Sequence, residues 1–141
     1  MLFRSEWLLH RGRPLLFSTA MMPAAVQAII EAFKMLEETT EYTDRLWDNA
    51  KYFKKLLLDK GFDIGHSETP ITPIMIGDEA KTMMFSKELL KRGVYVSGIV
   101  FPTVPKGKAR VRCMVSSFHT HDMLKQAAEI MFITAKEMSI L

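Results

Sequence analysis

At 141 residues the chain can bury one ordinary hydrophobic core, and 48% hydrophobic with 25% charged residues is the composition of a globular protein. Nineteen Lys and Arg against sixteen Asp and Glu, well mixed, leave a net charge of +3. That excludes the dense basic stripe of a nucleic-acid binder but permits an anionic ligand. The single cysteine, Cys113, rules out an internal disulfide and fits a reducing, cytoplasmic setting, and no apolar run approaches the roughly 20 residues of a membrane span.

The first five residues, Met-Leu-Phe-Arg-Ser, read as a non-native start, because Leu-Phe-Arg-Ser is also what a common sequencing-adapter end encodes. Native sequence is expected from Glu6. Residues 6–22 carry no helical period, and Pro14 pushes its predecessor out of the helical region, which predicts an extended arm. Pro23 suits a helix N1 position, and Val26, Ile29, Ile30, Phe33 and Leu36 then recur at helical spacing, giving a connecting helix over 23–40.

From residue 41 to 141 the pattern predicts one small C-terminal domain. Thr39-Thr40 can cap a helix whose apolar face is Leu46, Ala50, Phe53 and Leu57, and Lys60-Gly61 ends it. A short strand is expected at 62–64 and a buried one at 73–76, stopped by Gly77-Asp78. A helix over 79–92 ends at Arg92-Gly93, and Val94–Val100 reads as the best strand in the chain. A loop with two prolines and a glycine separates it from the alternating run 110–115, which predicts antiparallel pairing of the two. Thr120 can cap a last helix facing inward through Leu124, Ala127, Met131 and Thr134. The fold class is therefore α+β: a small, mainly antiparallel sheet covered by helices.

Taken residue by residue, the chemistry is sparse. His10, His66, His119 and His121 lie in different segments, and with one cysteine they make no metal site. A Cys113–His119 nucleophile pair is conceivable, but a cysteine on an alternating strand is more simply a small core residue. Arg110 and Arg112 are two apart on a strand, so both point to one face of the small sheet, at an edge of it. A guanidinium fork suits a carboxylate, although two surface arginines on a solvated face are the simpler alternative. Ser18-Thr19, ahead of a helix N-terminus, could take a phosphate or merely cap the helix.

Three stretches shift that balance: Arg-Gly-Arg-Pro-Leu-Leu-Phe-Ser-Thr at 11–19, Thr-Pro-Ile-Met-Ile-Gly-Asp at 72–78, and Phe-Pro-Thr-Val-Pro-Lys-Gly-Lys-Ala-Arg-Val-Arg at 101–112, continuing into Val-Ser-Ser-Phe-His-Thr at 115–120. In order and spacing they resemble the C-terminal third of glycine C-acetyltransferases (2-amino-3-ketobutyrate coenzyme A ligases), members of the α-oxoamine synthase group of fold-type-I pyridoxal-phosphate enzymes. The resemblance runs from about Glu6 to the end.

It implies pyridoxal 5′-phosphate as cofactor, glycine and acetyl-CoA as substrates in threonine and glycine metabolism, and a homodimer. Ser18 and Thr19 would bind the cofactor phosphate, reaching towards the second subunit. Arg112 would grip the amino acid's carboxylate, Arg110 would support it, and the Thr103–Lys106 loop would lie near the acyl-CoA entrance. The Schiff-base lysine would lie upstream of residue 1, so no catalytic residue is expected here and the chain alone would be inert. Lys34, Lys51, Lys54 and Lys55 are expected on surface helix faces. Two other readings stand beside this one: an 8-amino-7-oxononanoate synthase-like enzyme of biotin synthesis, taking alanine and a pimeloyl thioester, and a free-standing α/β ligand-binding or regulatory module with no cofactor.

Overall fold

A computed structural model describes residues 2–12 and 19–141. They form two compact units, Met1–Thr39 and Thr40–Leu141. The first unit contains α1 (Leu2–Arg11) and α2 (Pro23–Glu38). Helix α1 corrects the expectation of an extended arm over its residues 6–11. The ten residues from Leu2 hold neither proline nor glycine, so nothing interrupts the ladder until Gly12, whose N–H still bonds Leu8 O at 2.8 Å. Residues 13–18, including Pro14 and the expected phosphate ligand Ser18, lie outside the described residues. Helix α2 starts with Pro23 in its first turn, as expected, and none of its sixteen residues is buried.

The second unit runs α3 (Glu41–Asp59), β1 (Ile71–Gly77), α4 (Glu79–Lys91), β2 (Ser97–Ile99), β3 (Ala109–Met114) and α5 (His121–Glu137). Its three strands form one antiparallel sheet in the order β1-β3-β2. The arginine-bearing strand β3 is thus the middle of the sheet, not its edge as the sequence suggested. Its longest antiparallel neighbour, β1, comes from far earlier in the chain, and local spacing carries no trace of that pairing. Pro73 sits on β1, an outer strand, where a missing N–H costs no ladder bond.

The core lies on one side of the sheet, where Phe53 and Leu57 of α3, Phe85 and Leu89 of α4, and Met131 of α5 pack against Ile74 and Val111. Caps fix where two of these helices start: Asp78 accepts the Lys81 N–H at 2.7 Å and Thr120 accepts that of Met123 at 3.2 Å. Thr40 holds the N-cap position of α3, but its hydroxyl donates to Asp44 Oδ2 instead of capping.

Two expected strands shrink. Residues 62–64 form no strand, although Asp63 O accepts the Met75 N–H at 2.8 Å. The run 94–100 pairs only at Ser97–Ile99, because Val94 N–H is bound to Leu89 O (2.9 Å) and Val96 O accepts the Ser86 hydroxyl (2.8 Å), both on α4. Those backbone groups serve the preceding helix before they can reach β3.

Candidate substrate-binding face

Alternation along β3 gives the sheet two faces. Ala109, Val111 and Cys113 are buried, whereas Arg110, Arg112 and Met114 point away from the core. Registration places the outward neighbours in rows: Arg112 between Pro73 of β1 and Ser97 of β2, and Arg110 between Met75 and Ile99. Gly98 fixes the sense of β2. A Cβ there would lie 2.9 Å from Met83 Sδ and 3.6 Å from Thr82 O, so position 98 faces α4 while Ser97 and Ile99 face outward with the arginines.

The two arginines differ in what they touch. Arg110 is half-buried, and its Nε donates to Lys108 O at 3.1 Å, tying the guanidinium to the loop ahead of β3. Arg112 is exposed and has no hydrogen-bond or ion-pair partner among the described residues. An arginine held by ladders on both sides, with its fork open, suits capture of a carboxylate. The loop between β2 and β3 is closed by Thr103 N–H to Val100 O (3.0 Å) and Lys108 N–H to Pro105 O (3.1 Å), with Lys106 Nζ 5.5 Å above the Phe101 ring.

The other expected candidates separate. Thr19 is exposed, in the Met1–Thr39 unit, and the N-cap of α2, Met22, makes no side-chain cap hydrogen bond. Cys113 lies on the buried face, where desolvation pushes its thiol up to about 12. His119 Nδ1 accepts the Ser116 N–H at 3.1 Å, and no hydrogen bond joins His119 to Cys113 among the described residues, although both line a cavity of about 380 Å³ walled in part by β3 and α5. His121 bonds Asp48 at 2.9 Å and stacks on Tyr52 at 4.0 Å. No cluster of three metal-ligating side chains occurs among the described residues.

Lys54, expected on a helix surface, instead donates to Ser67 O and Thr69 O, both at 2.7 Å, and anchors that loop. Asn49 was missed altogether. Buried on α3, its Nδ2 donates to Ser116 O (3.0 Å) and His119 O (2.8 Å), holding the turn from β3 into α5. A polar residue beside Ala50 on an otherwise apolar helix face was the available signal. Among the described residues no helix is long and apolar enough to cross a membrane.

The chain matches the family model described as aminotransferase class I and II over residues 5–131. It is 64% identical over 136 residues to an 8-amino-7-oxononanoate synthase of Alkaliphilus metalliredigens (strain QYMF), and 61% identical over 136 residues to that of Treponema denticola. In both cases the alignment covers 96% of this chain and 34% of the relative, so the chain spans about one third of the curated relatives' length. Among solved structures it is similar to the serine palmitoyltransferase K265A of S. paucimobilis with PLP and myriocin bound. There the TM-score is 0.81 and the identity 26%, over 92% of this chain and 33% of that one. It is also similar to the 8-amino-7-oxononanoate synthase of Francisella tularensis (TM-score 0.71, 25% identity, 97% of this chain and 40% of that one).

These relatives carry the name 8-amino-7-oxononanoate synthase, not glycine C-acetyltransferase, and so correct the narrower resemblance drawn from the sequence. The α+β expectation holds: three antiparallel strands under helices are the small C-terminal domain of a fold-type-I pyridoxal-phosphate enzyme. The chain belongs to the aminotransferase class I and II family.

Proposed function

We propose that this chain is the C-terminal third of a pyridoxal-phosphate-dependent α-oxoamine synthase of the 8-amino-7-oxononanoate synthase type, which joins alanine to a pimeloyl thioester. The observation that carries the reading is 64% identity over 136 residues to such a synthase. Glycine with acetyl-CoA, and with it a place in threonine breakdown, is the weaker choice of substrates, and a cofactor-free module weaker still. The enzyme is a homodimer in this reading, and neither nucleic acid nor membrane takes part.

Within it, Arg112 holds the amino acid's carboxylate. Ladders to Pro73 and Ser97 fix the strand on both sides, so the fork is presented without backbone rearrangement and orients the α-carbon for reaction. Arg110 holds the 102–108 loop against the sheet through Lys108 O. Ser18 and Thr19, with the uncapped start of α2, hold the cofactor's phosphate and reach into the second subunit. When bound, pyridoxal phosphate supplies an electron sink for charge at the amino acid's α-carbon. In this reading the lysine that carries the cofactor belongs to the other two thirds of the enzyme, and the 141 residues by themselves are inert.

The test is the full-length protein that contains this chain, assayed with alanine and pimeloyl-CoA and, separately, with glycine and acetyl-CoA. Turnover of the first pair is expected. Preference for the second would restore the acetyltransferase reading, and an upstream region without a cofactor-binding lysine would end both. Arg112→Ala is expected to raise the KM for alanine by roughly 100-fold, the loss of a charge-assisted bidentate contact of about 3 kcal/mol.

A further inference from the structure

We propose that Ser97 is a second ligand of the carboxylate held by Arg112, so that the amino-acid subsite is a Ser–Arg pair spanning strands β2 and β3; this rests on the reading of Arg112 given above. Directly opposite residues of an antiparallel pair present their side chains on the same face with Cβ atoms about 5 Å apart, and Ser97 is registered opposite Arg112. The orientation has independent support, since position 98 faces α4 and alternation then turns Ser97 to the uncovered side.

The chemistry of that face singles the serine out. Its outward side chains are Ile71, Pro73 and Met75 on β1, Arg110, Arg112 and Met114 on β3, and Ser97 and Ile99 on β2. Among the paired strand residues on that face, Ser97 is the one besides the two arginines that carries a side-chain hydrogen-bonding group. It stands in the row of the open guanidinium, not in the row of Arg110, which is already tied to Lys108 O. Ser97 is half-buried, and its hydroxyl has no partner among the described residues. A carboxylate offers about four lone-pair sites and a guanidinium fork takes two, so the Ser97 O–H can donate to a third. On the other side of Arg112 stands Pro73, which offers no donor. The carboxylate is thereby drawn towards β2, which fixes its rotation in the fork.

Steady-state kinetics of the full-length enzyme test this. Ser97→Ala is expected to raise the KM for the amino acid roughly ten-fold, with kcat changed less than about two-fold, as for loss of one hydrogen bond to a charged group. Ser97→Thr, which keeps the hydroxyl, is expected to stay near the parent value. In an Arg112→Ala background, Ser97→Ala is expected to add nothing further. An unchanged KM in Ser97→Ala, alongside a raised KM in Arg112→Ala, overturns the Ser97 assignment and leaves the Arg112 reading intact. An unchanged KM in Arg112→Ala overturns both. Equal losses in Ser97→Ala and Ser97→Thr, or a fall in kcat without a change in KM, mark a packing role and also overturn the assignment.

Discussion

Strand β3 sorts six residues into two chemistries by alternation alone. Cys113 and Arg112 are neighbours in sequence, yet one is a thiol in the core and the other a cation in the open. That sorting is legible in the amino-acid sequence, because a period of two needs only the strand assignment. What local spacing could not supply was β1 as the second neighbour and the register of β2 on β3, and hence Ser97 as the residue beside Arg112. The burial of Cys113 has a measurable consequence. Its thiol loses a proton near 9.0 when exposed and near 12 when folded, so below about pH 9 both states hold the proton and the core is undisturbed. Above that, the unfolded chain releases a proton that the folded chain keeps, and stability falls by about 1.4 kcal/mol per pH unit until the folded thiol ionises. Urea unfolding at about pH 8.5 and about pH 10.5 should therefore show a steeper loss for the parent 141-residue chain than for Cys113→Ala. Equal losses in the two would place the thiol in contact with water.

At the scale of elements, three helices of the Thr40–Leu141 unit end in the same way. In each, the second residue past the cap bonds back five positions: Phe62 N–H to Leu57 O (3.1 Å), Val94 N–H to Leu89 O (2.9 Å) and Ile140 N–H to Ala135 O (2.9 Å). The residue between is left-handed in all three, and the residue that follows is apolar and packs on the core. Gly61 and Gly93 announced the first two ends in the sequence. The third has Ser139 at φ 51°, and a serine there carries no comparable stop signal. A side chain in that conformation is strained, so Ser139→Gly is expected to stabilise the unit by about 0.5–1 kcal/mol, net of the freedom glycine adds to the unfolded chain. A thermal or urea midpoint unchanged or lowered by Ser139→Gly would show that the strain is relieved elsewhere. Periodicity, short apolar runs and glycine stop signals together located every helix from residue 23 onward and every paired strand. It overextended β2, because a run such as Val94–Val100 says nothing of hydrogen bonds owed to the helix before it.

At the scale of the whole molecule, the two units differ in whether they cover their own apolar surface. The Thr40–Leu141 unit buries a contiguous core, whereas α2 buries nothing, and its stripe of Val26, Ile29, Ile30, Phe33 and Leu36 is 38–64% exposed. A stripe at strict helical spacing in a chain of ordinary composition is a surface that needs covering. In the proposed function the rest of the enzyme and the second subunit cover it, and the 141 residues alone leave it bare. Each of the five side chains offers roughly 1 kcal/mol for reburial, before the cost of association. The isolated 141-residue chain is therefore expected to self-associate at tens of micromolar, read as a mass above the monomer in light scattering behind size exclusion. A chain starting at Thr40 is expected to run as a monomer with its urea transition retained, and Ile30→Glu with Phe33→Glu in the full 141 residues is expected to return the monomer as well. Equal masses for the 141-residue chain and the chain starting at Thr40 would mean that the α2 stripe drives no association.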